Sequence, residues 1–330
     1  MSAEPIAIIP VAGEGTRLRP HTHTQPKVLL HVAGKPMLAH ILDDLPGLGI
    51  RKAVLIVGYR GDQIVEYVRG NHPGIEFEFV TQAERLGLGH AISLAEPYVD
   101  DRPILIILGD TIFEADLASV LSGGMNRIGV KEVADPRRFG IVEVDAGGRV
   151  TRMVEKPEQP TSNLAITGVY YFTHARPLME ALRRLQAENR RTRGEFQLTD
   201  AMQCLVEQGL DLGTFPIVGW YDCGKLETLL ETNRALLDRR PGRAHAPGSV
   251  VRAPVSIGEG AIVEGCIVGP HVSVATGASL KNAVIRDSIV NRNARVEDVL
   301  LESSVVGENA VVRGVFRRVN VGDSGEVYEA

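Results

Sequence analysis

The sequence predicts an α/β domain with a mostly parallel sheet, followed by a parallel β-helix. Three observations support this prediction. Aliphatic runs alternate with helical patterns up to about residue 238, a stretch rich in proline and glycine follows, and aliphatic residues then recur every five or six positions. Because 330 residues suffice for two domains, we expect a first domain at residues 1–238, a linker at 239–250 and a second domain at 251–330.

The first domain is predicted from aliphatic runs that are too apolar to have a solvent-facing side. These runs are residues 6–11, 53–57 and 104–108, and residues 61–68 have a helical pattern. Strands that are buried on both faces and separated by helices indicate a mostly parallel sheet covered on each side. Such sheets bind ligands at the carboxyl ends of their strands, so the loops after the first and third runs are expected in one crevice.

The loop after the first run combines glycines with positive charge. It reads GEGTRLRP at residues 13–20, and Lys27 follows. Glycines let a backbone approach a ligand closely and direct N–H groups toward it, so these glycines with Arg17 and Lys27 suit a polyphosphate. The loop is not a P-loop, because no Gly-Lys-Ser/Thr follows, and it lacks the third glycine of the dinucleotide fingerprint.

Charge and composition exclude several classes of protein. A net charge of −5 gives no electrostatic support for a nucleic-acid partner. The three scattered cysteines fit a reducing cytoplasm, and we expect a cytoplasmic protein without a membrane span or signal peptide. His21 and His23 have no third ligand at a useful spacing, so they are expected to be exposed rather than to bind a metal.

The second domain is predicted from a period that neither a helix nor a flat sheet has. A hexapeptide parallel β-helix has this period, with one short strand and a turn per step, and three steps per coil give about three to four coils. We expect the tail from residue 315 to cap the coils or to contact another subunit. The aliphatic track is Ile257, Val263, Val268, Val274, Leu280, Ile285, Val290, Val296, Leu301, Val306 and Val312.

Seven short motifs occur in order along nearly the whole chain. They are residues 13–20 with 26–27, residue 82 with 86–91, residues 108–110, 155–157, 168–170, 193–195 with 198–200, and 220–224. Together they resemble the sugar-1-phosphate nucleotidylyltransferase family, and most closely its long-form glucose-1-phosphate thymidylyltransferases. The resemblance implies a Rossmann-like catalytic domain and a left-handed β-helix.

The reaction that this resemblance implies joins two anions. An oxygen of a sugar 1-phosphate attacks the α-phosphorus of a nucleoside triphosphate and releases pyrophosphate. The nucleophile is already ionised near neutral pH, since the second pKa of a phosphate monoester is about 6, so no general base is required. Positioning and charge neutralisation then supply the catalysis. The implied cofactor is Mg²⁺, and stacking of β-helices favours a homo-oligomer.

The resemblance assigns most of these residues to the nucleotide and its metal. Arg17 would contact the leaving pyrophosphate, and Lys27 would contact phosphates across the reacting centre. Gln82 would read the base edge with Gly87, because an amide offers the donor and the acceptor that a pyrimidine requires. Mg²⁺ favours one or two carboxylates with phosphate oxygens and water. The assigned nucleotide residues are Ala12, Gly13, Gly15, Thr16, Arg17, Gln82, Gly87 and Asp110, and the metal ligands are Asp110 and Asp222.

The sugar phosphate has its own implied residues. Glu155 would accept hydrogen bonds from sugar hydroxyls, and Lys156 would bind the sugar phosphate as a third catalytic residue beside Arg17 and Lys27. Gly140 and Tyr170 would line the sugar pocket, and Arg193 is a further candidate for contacting phosphate.

Several of these residues also have a structural interpretation from the sequence alone. Asp110 and Asp222 could each cap a following helix, the latter near residues 225–236. Residues 155–156 could form a solvated strand end, and Lys27 could lie on the surface. His90 is expected to start a helix beneath the base-binding loop rather than to act in catalysis.

The sequence leaves open which base the site selects and whether the chain has a different function. Gln82 argues against a guanine-specific site, because the guanosine enzymes of this family have an acidic residue there. Thymine and uracil differ by one methyl group, worth about 1–3 kcal/mol, so use of both dTTP and UTP is our hypothesis. The alternatives are acyl transfer at the β-helix, where His271 is the only histidine of the repeats, and a non-catalytic binding module for nucleotide sugars.

Overall fold

The computed structural model describes residues 3–239, 242 and 245–314. The described chain forms two compact units: one comprises the residues up to Leu30 with Lys35–Leu229, and the other comprises His31–Gly34 with the residues from Leu230 onward. The tail from residue 315 and residues 240, 241, 243 and 244 of the expected linker lie outside the described residues. The domain boundaries given above stay a prediction.

The part of the chain before residue 240 alternates strands and helices. The helices are α1 (Met37–Leu42), α2 (Gly61–Asn71), α3 (Leu88–Ser93), α4 (Leu117–Ser122), α5 (Arg176–Ala187), α6 (Leu198–Glu207) and α7 (Leu226–Arg239). The strands are β1 (Ile6–Pro10), β2 (His31–Val32), β3 (Lys35–Pro36), β4 (Lys52–Val57), β5 (Glu76–Thr81), β6 (Ile104–Ile107), β7 (Thr111–Glu114), β8 (Asn126–Glu132), β9 (Gly140–Val144), β10 (Val150–Glu155), β11 (Leu164–Phe172), β12 (Leu212–Pro216) and β13 (Gly219–Asp222).

The main sheet of the first unit confirms the predicted Rossmann-like α/β fold. Its strand order is β10-β9-β11-β6-β1-β4-β5, with β8 paired to β11 and β12. The part formed by β6, β1, β4 and β5 is parallel, as expected, but β11 runs antiparallel to β6, β8 and β9. The sheet is therefore mixed rather than mostly parallel, because the hairpin β9–β10 and the nine-residue β11 extend it on one side.

The first strand shows why the aliphatic runs identify buried strands. Ile6 and Ile8 belong to one apolar cluster, whereas Ala7 and Ile9 belong to the cluster on the opposite face of the sheet. All four are at most 1% exposed. A strand with cores on both sides has no polar face, which is the pattern that the sequence shows.

The loops after β1 and β6 lie side by side, as predicted. The two strands are parallel neighbours, and the amide of Gly109 donates a hydrogen bond to the carbonyl of Pro10 at 3.3 Å. A Cβ at Gly109 would lie 2.4 Å from Cγ1 of Val11, so this close approach requires glycine.

The second unit contains the predicted left-handed parallel β-helix. Its strands form three four-stranded parallel sheets and therefore four coils within the described residues, the upper end of the predicted number. Most residues of the aliphatic track are buried inside the coils. The strands are β14 (Val250–Val251), β15 (Val255–Ile257), β16 (Ile262–Glu264), β17 (Ile267–Val268), β18 (Val272–Val274), β19 (Ser279–Lys281), β20 (Val284–Arg286), β21 (Ile289–Val290), β22 (Arg295–Glu297), β23 (Leu300–Glu302), β24 (Val305–Val306) and β25 (Val311–Arg313).

The second half of α7 packs against the β-helix through polar contacts within this unit. The fully buried Asn233 accepts a hydrogen bond from Ser273 Oγ at 2.6 Å and donates one to the carbonyl of His271 at 3.1 Å. Nε2 of His271 lies 2.8 Å from a carboxylate oxygen of Asp238. His271 thus has a structural role in the packing of α7. Across the described residues, no helix is both long and apolar enough to span a membrane.

Candidate active site

A cavity of about 360 Å³ lies at the carboxyl end of the parallel strands in the first unit. The loops that follow β1, β5 and β6 supply most of its wall. Six of the predicted nucleotide and catalytic residues are among those that line it. The lining residues are Pro10, Val11, Ala12, Gly13, Lys27, Val28, Gln82, Arg85, Gly87, Leu88, Ala91, Leu108, Asp110 and Glu195.

Lys27 is a buried cation in the wall of this cavity. Only 7% of its side chain is exposed, and its Nζ donates a hydrogen bond to Oδ2 of Asp110 at 2.8 Å. The stem of Lys27 packs against Gly15, where φ is +63° and a Cβ would lie 2.8 Å from Cβ of Lys27. Thr22 holds the same loop by a 2.9 Å hydrogen bond to the carbonyl of Gly15. The alternative of a surface lysine is therefore wrong.

Asp110 lies between two strands, so the alternative of a helix N-cap is wrong for it. The residues after it form β7, which pairs antiparallel with β13 and is thereby committed to a sheet. The register places Thr111 opposite Asp222, which brings Asp110 and Asp222 to the same end of this two-stranded ribbon.

Arg17 and Asp222 both lie beside Gly224. Arg17 lies in the 3₁₀ turn Thr16–Leu18. A Cβ at Gly224 would lie 2.7 Å from a guanidinium nitrogen of Arg17 and 2.8 Å from Oδ1 of Asp222. A side chain at this position would therefore collide with both charged groups.

The carboxylates in this region fit a hard divalent cation that is bound together with substrate. Residues 3–239, 242 and 245–314 contain no group of three or more His, Cys, Asp or Glu that could hold a metal alone. Mg²⁺ is usually held by one or two carboxylates, phosphate oxygens and water. Asp110 and Asp222 match that donor set, whereas His21 and His23 belong to no such group.

The loop after β5 is held rigidly by its neighbours. The amide of Gly89 donates to the carbonyl of Phe196 at 2.8 Å, and the amide of Phe196 donates to the carbonyl of Leu86 at 2.8 Å. Gly87 has a φ of +108°, and a Cβ there would lie 2.7 Å from the oxygen of Phe196. Only glycine fits this position without displacing the backbone.

Gln82 lies beside this loop and is oriented by it. Its Nε2 donates to the carbonyl of Gly87 at 3.2 Å and lies 3.3 Å from Nδ1 of His90. His90 is the third residue of α3, close to the predicted helix start, and burial lowers its pKa. His90 thus supports Gln82, and it is not among the residues of the cavity wall.

The predicted sugar residues form a second cluster outside the cavity wall. Glu155 ends β10 with 10% of its side chain exposed, and its carboxylate accepts a hydrogen bond from Thr199 Oγ1 at 2.8 Å. A Cβ at Gly140 would lie 2.9 Å from the same carboxylate. Burial raises the pKa of Tyr170, and the charge of Glu155 raises it further. The carboxylate of Glu155 therefore lies close to both Gly140 and Tyr170.

Lys156 and Arg193 border this cluster. Nζ of Lys156 lies 3.2 Å from Glu155, with 42% of its side chain exposed. A guanidinium nitrogen of Arg193 donates to the carbonyl of Lys156 at 2.8 Å. The alternative that residues 155–156 form a solvated strand end is therefore wrong for Glu155, which is buried. It holds in part for Lys156, which is partly exposed. Since Glu195 lines the cavity, the segment from Arg193 to Glu195 links the two groups of residues.

Three residues of the site were absent from the predicted set. Thr199 and Glu195 both stand within the motif at residues 193–195 and 198–200, so this motif could have indicated them. Arg85 belongs to no motif, and only the folded chain reveals its contact with Glu14, at 2.6 Å between a guanidinium nitrogen and Oε1. Of the predicted nucleotide residues, Gly15, Thr16 and Arg17 lie in the loop beside Lys27 rather than in the cavity wall.

Comparisons with known proteins agree on one family. The profile of the nucleotidyl transferase family matches residues 6–239. The chain is 34% identical to the low-salt glycan biosynthesis nucleotidyltransferase Agl11 of Haloferax volcanii over 352 aligned residues, which cover 96% of this chain and 97% of the relative. It is 34% identical to glucose-1-phosphate thymidylyltransferase of Streptomyces antibioticus, with 94% of this chain and 89% of the relative covered.

A solved structure extends this similarity to three dimensions. The first unit's fold is similar to the crystal structure of UDP-glucose pyrophosphorylase in complex with UDP-glucose. The TM-score is 0.63 at 25% sequence identity, and the match covers 72% of this chain and all of that one.

Proposed function

The chain belongs to the nucleotidyl transferase family as a sugar-1-phosphate nucleotidyltransferase, and we propose that it uses dTTP or UTP with glucose 1-phosphate. The observation that carries this proposal is the ion pair of the buried Lys27 with the half-exposed Asp110 in the wall of a cavity that Gln82 and Gly87 also line. A cation, a metal-binding carboxylate and an amide for base recognition are the groups that this reaction needs.

The nucleotide occupies the cavity in this proposal. The base lies against Gln82 and Gly87, and the triphosphate lies along the loop from Ala12 to Arg17. Lys27 has a fixed position because its stem is packed against Gly15 and its Nζ is bonded to Asp110. A buried cation in a fixed position stabilises developing negative charge without reorganising, which is the main source of electrostatic catalysis.

The sugar phosphate occupies the second cluster. Glu155 offers carboxylate oxygens to sugar hydroxyls, and Thr199 orients that carboxylate. Lys156 and Arg193 supply positive charge for the phosphate. Because the attacking phosphate oxygen is already ionised near neutral pH, the side chains hold the two anions in line and move no proton. Arg17 would neutralise the departing pyrophosphate.

A divalent cation completes the charge balance. Sugar nucleotidyltransferases of this family generally use one, and we propose Mg²⁺ held by Asp110 and Asp222 together with phosphate oxygens. The bound ion would neutralise the phosphates and fix their geometry.

The choice of base and sugar rests on the relatives. One of them is named for thymidylyl transfer to glucose 1-phosphate, and the similar solved structure holds UDP-glucose. Because thymine and uracil differ by a methyl group, worth about 1–3 kcal/mol, we propose that both dTTP and UTP are substrates. The cytoplasmic location and the homo-oligomer stay predictions.

A matrix of substrates tests the proposal. Each of dTTP, UTP, GTP, ATP and CTP is combined with glucose 1-phosphate and with other sugar 1-phosphates in the presence of Mg²⁺, and pyrophosphate release is measured. We expect turnover with dTTP or UTP and glucose 1-phosphate, and little with GTP. Absence of turnover with every pair would favour the non-catalytic module, and a parallel assay with acetyl-CoA and an amino sugar phosphate tests acyl transfer.

A further inference from the structure

The glycine-rich loop contains a carboxylate at a place where a triphosphate is expected. Glu14 lies between Gly13, which lines the cavity, and Gly15, which packs on Lys27. An uncompensated carboxylate here would repel a polyanion, at a cost that grows as the site becomes less exposed to water. A triphosphate can therefore bind here only if nearby cations balance the charge of Glu14.

Two arginines compensate this charge. A guanidinium nitrogen of Arg85 lies 2.6 Å from Oε1 of Glu14, and one of Arg19 lies 3.7 Å from Oε2. The hydrogen bond from Arg85 holds the pKa of Glu14 below its usual value, so the carboxylate is charged near neutral pH. The three side chains together carry one net positive charge.

Arg85 is the member of this group that can reach a ligand. It lines the cavity, yet 56% of its side chain is exposed, so it lies at the solvent edge of the cavity. It belongs to the loop after β5 and reaches Glu14 of the glycine-rich loop, seventy-one residues away in the sequence. Both loops are held by other contacts, Gly15 by Thr22 and Leu86 by Phe196, so Arg85 can change partner without either loop unfolding.

We infer that Arg85 is a phosphate-binding residue for the nucleoside triphosphate, held in place by Glu14 until the nucleotide arrives. On binding, its guanidinium would exchange the carboxylate of Glu14 for a phosphate oxygen, while Arg19 keeps Glu14 neutralised. A planar guanidinium suits both partners, since it forms similar charged hydrogen bonds with carboxylates and phosphates. This inference rests on the proposed function, because it needs a triphosphate in the cavity.

The exchange predicts opposite effects for its two partners. Arg85→Gln removes a cation from the phosphate site, so we expect the dissociation constants of dTTP and UTP to rise about tenfold, the size of one charged hydrogen bond. Glu14→Gln removes the competing carboxylate, so we expect these constants to fall about threefold. The double variant should resemble Arg85→Gln, because Glu14 then has nothing to release.

Titration calorimetry with dTTP and UTP in Mg²⁺ measures these constants, and the KM for glucose 1-phosphate should stay unchanged. Arg183→Gln is a matched control, because its exposed guanidinium also pairs with a glutamate, Glu96, at 3.0 Å but does not line the cavity. Weaker nucleotide binding in both single variants would show that the ion pair serves only to hold the two loops in place. Unchanged binding in both would show that it is a solvated ion pair with no part in nucleotide binding. Either result overturns the inference.

The two proposals fail in different ways. A folded wild-type chain that turns over no substrate pair contradicts the proposed function. A wild-type chain that turns over dTTP or UTP, together with an Arg85→Gln variant that binds both as tightly as the wild type, contradicts only the role of Arg85.

Discussion

At the scale of single residues, the site depends on where each charge is fixed. Lys27 and Glu155 are almost fully buried, and each is held by a partner from a distant part of the chain. Lys156 and Arg193 are more exposed and lie at the border of their cluster. The buried side chains of Lys27 and Glu155 are thus suited to fix the positions of bound groups. The more exposed Lys156 and Arg193 are suited to attract an anionic substrate from solvent.

The role of Asp110 is tested by Asp110→Asn. The amide keeps the size of the side chain and an oxygen that can accept from Lys27, but it removes a charge that a divalent cation needs. We expect kcat for pyrophosphate release to fall by at least about a hundredfold, with a melting temperature close to that of the wild type.

Asp211→Asn is the control for this variant, because Asp211 forms an exposed ion pair with Arg149 at 3.0 Å outside the site. It should keep wild-type kcat. A near-normal kcat for Asp110→Asn at saturating Mg²⁺ would remove Asp110 from the mechanism.

Lys156→Ala separates the two substrates. Since Lys156 borders the sugar cluster and does not line the cavity, the KM for glucose 1-phosphate should rise about tenfold, whereas the dissociation constant of dTTP should stay unchanged. Steady-state kinetics and calorimetry measure the two quantities. Equal losses for both substrates would contradict the assignment.

At the scale of elements, local patterns predicted the strands well and their pairing less well. The run at residues 53–57 lies within β4, and the helical pattern at 61–68 is α2, which continues to Asn71. The antiparallel β11 was missed, because an aliphatic strand buried on both faces looks the same in either direction. The pair of Arg85 and Glu14 was not predicted either, because β5, the strand that leads to Arg85, was not among the aliphatic runs recognised in the sequence.

The junction of β5 and α3 has a steric requirement that Gly87→Ala tests. Alanine would have to adopt a φ of +108° and place its Cβ 2.7 Å from the oxygen of Phe196. The backbone strain alone costs about 1–3 kcal/mol, and relief of the contact would move the loop that carries Arg85 and borders Gln82. We expect a lower free energy of unfolding and a higher dissociation constant for dTTP.

Gly148→Ala is the matched control for this variant. Gly148 also has a positive φ, +78°, but a Cβ there would meet no atom within 4 Å. It should lose about 1–2 kcal/mol of stability and bind dTTP normally. Equal stability losses and normal dTTP binding in both variants would show that the contact with Phe196 is unimportant.

At the scale of the whole molecule, the two units differ in how directly the sequence specifies them. The β-helix follows from one period, because each step has the same surroundings in every coil, and the predicted aliphatic track is the observed interior. The catalytic unit is built from distant segments, so the site residues were assigned from the family motifs and stay a prediction, while the fold shows which of them line one cavity and which lie in a second cluster.

The β-helix period makes one further prediction, about which aliphatic residues stabilise the second unit. Leu280 is fully buried inside the coils, whereas Leu300 is 78% exposed on an outer face. Leu280→Ala should therefore lower the free energy of unfolding by about 2–5 kcal/mol, and Leu300→Ala should change it by less than about 0.5 kcal/mol. Urea denaturation measures both values. Because the two variants delete the same atoms from short strands of one β-helix, a similar loss in each would mean that the interior track does not determine the stability of this unit.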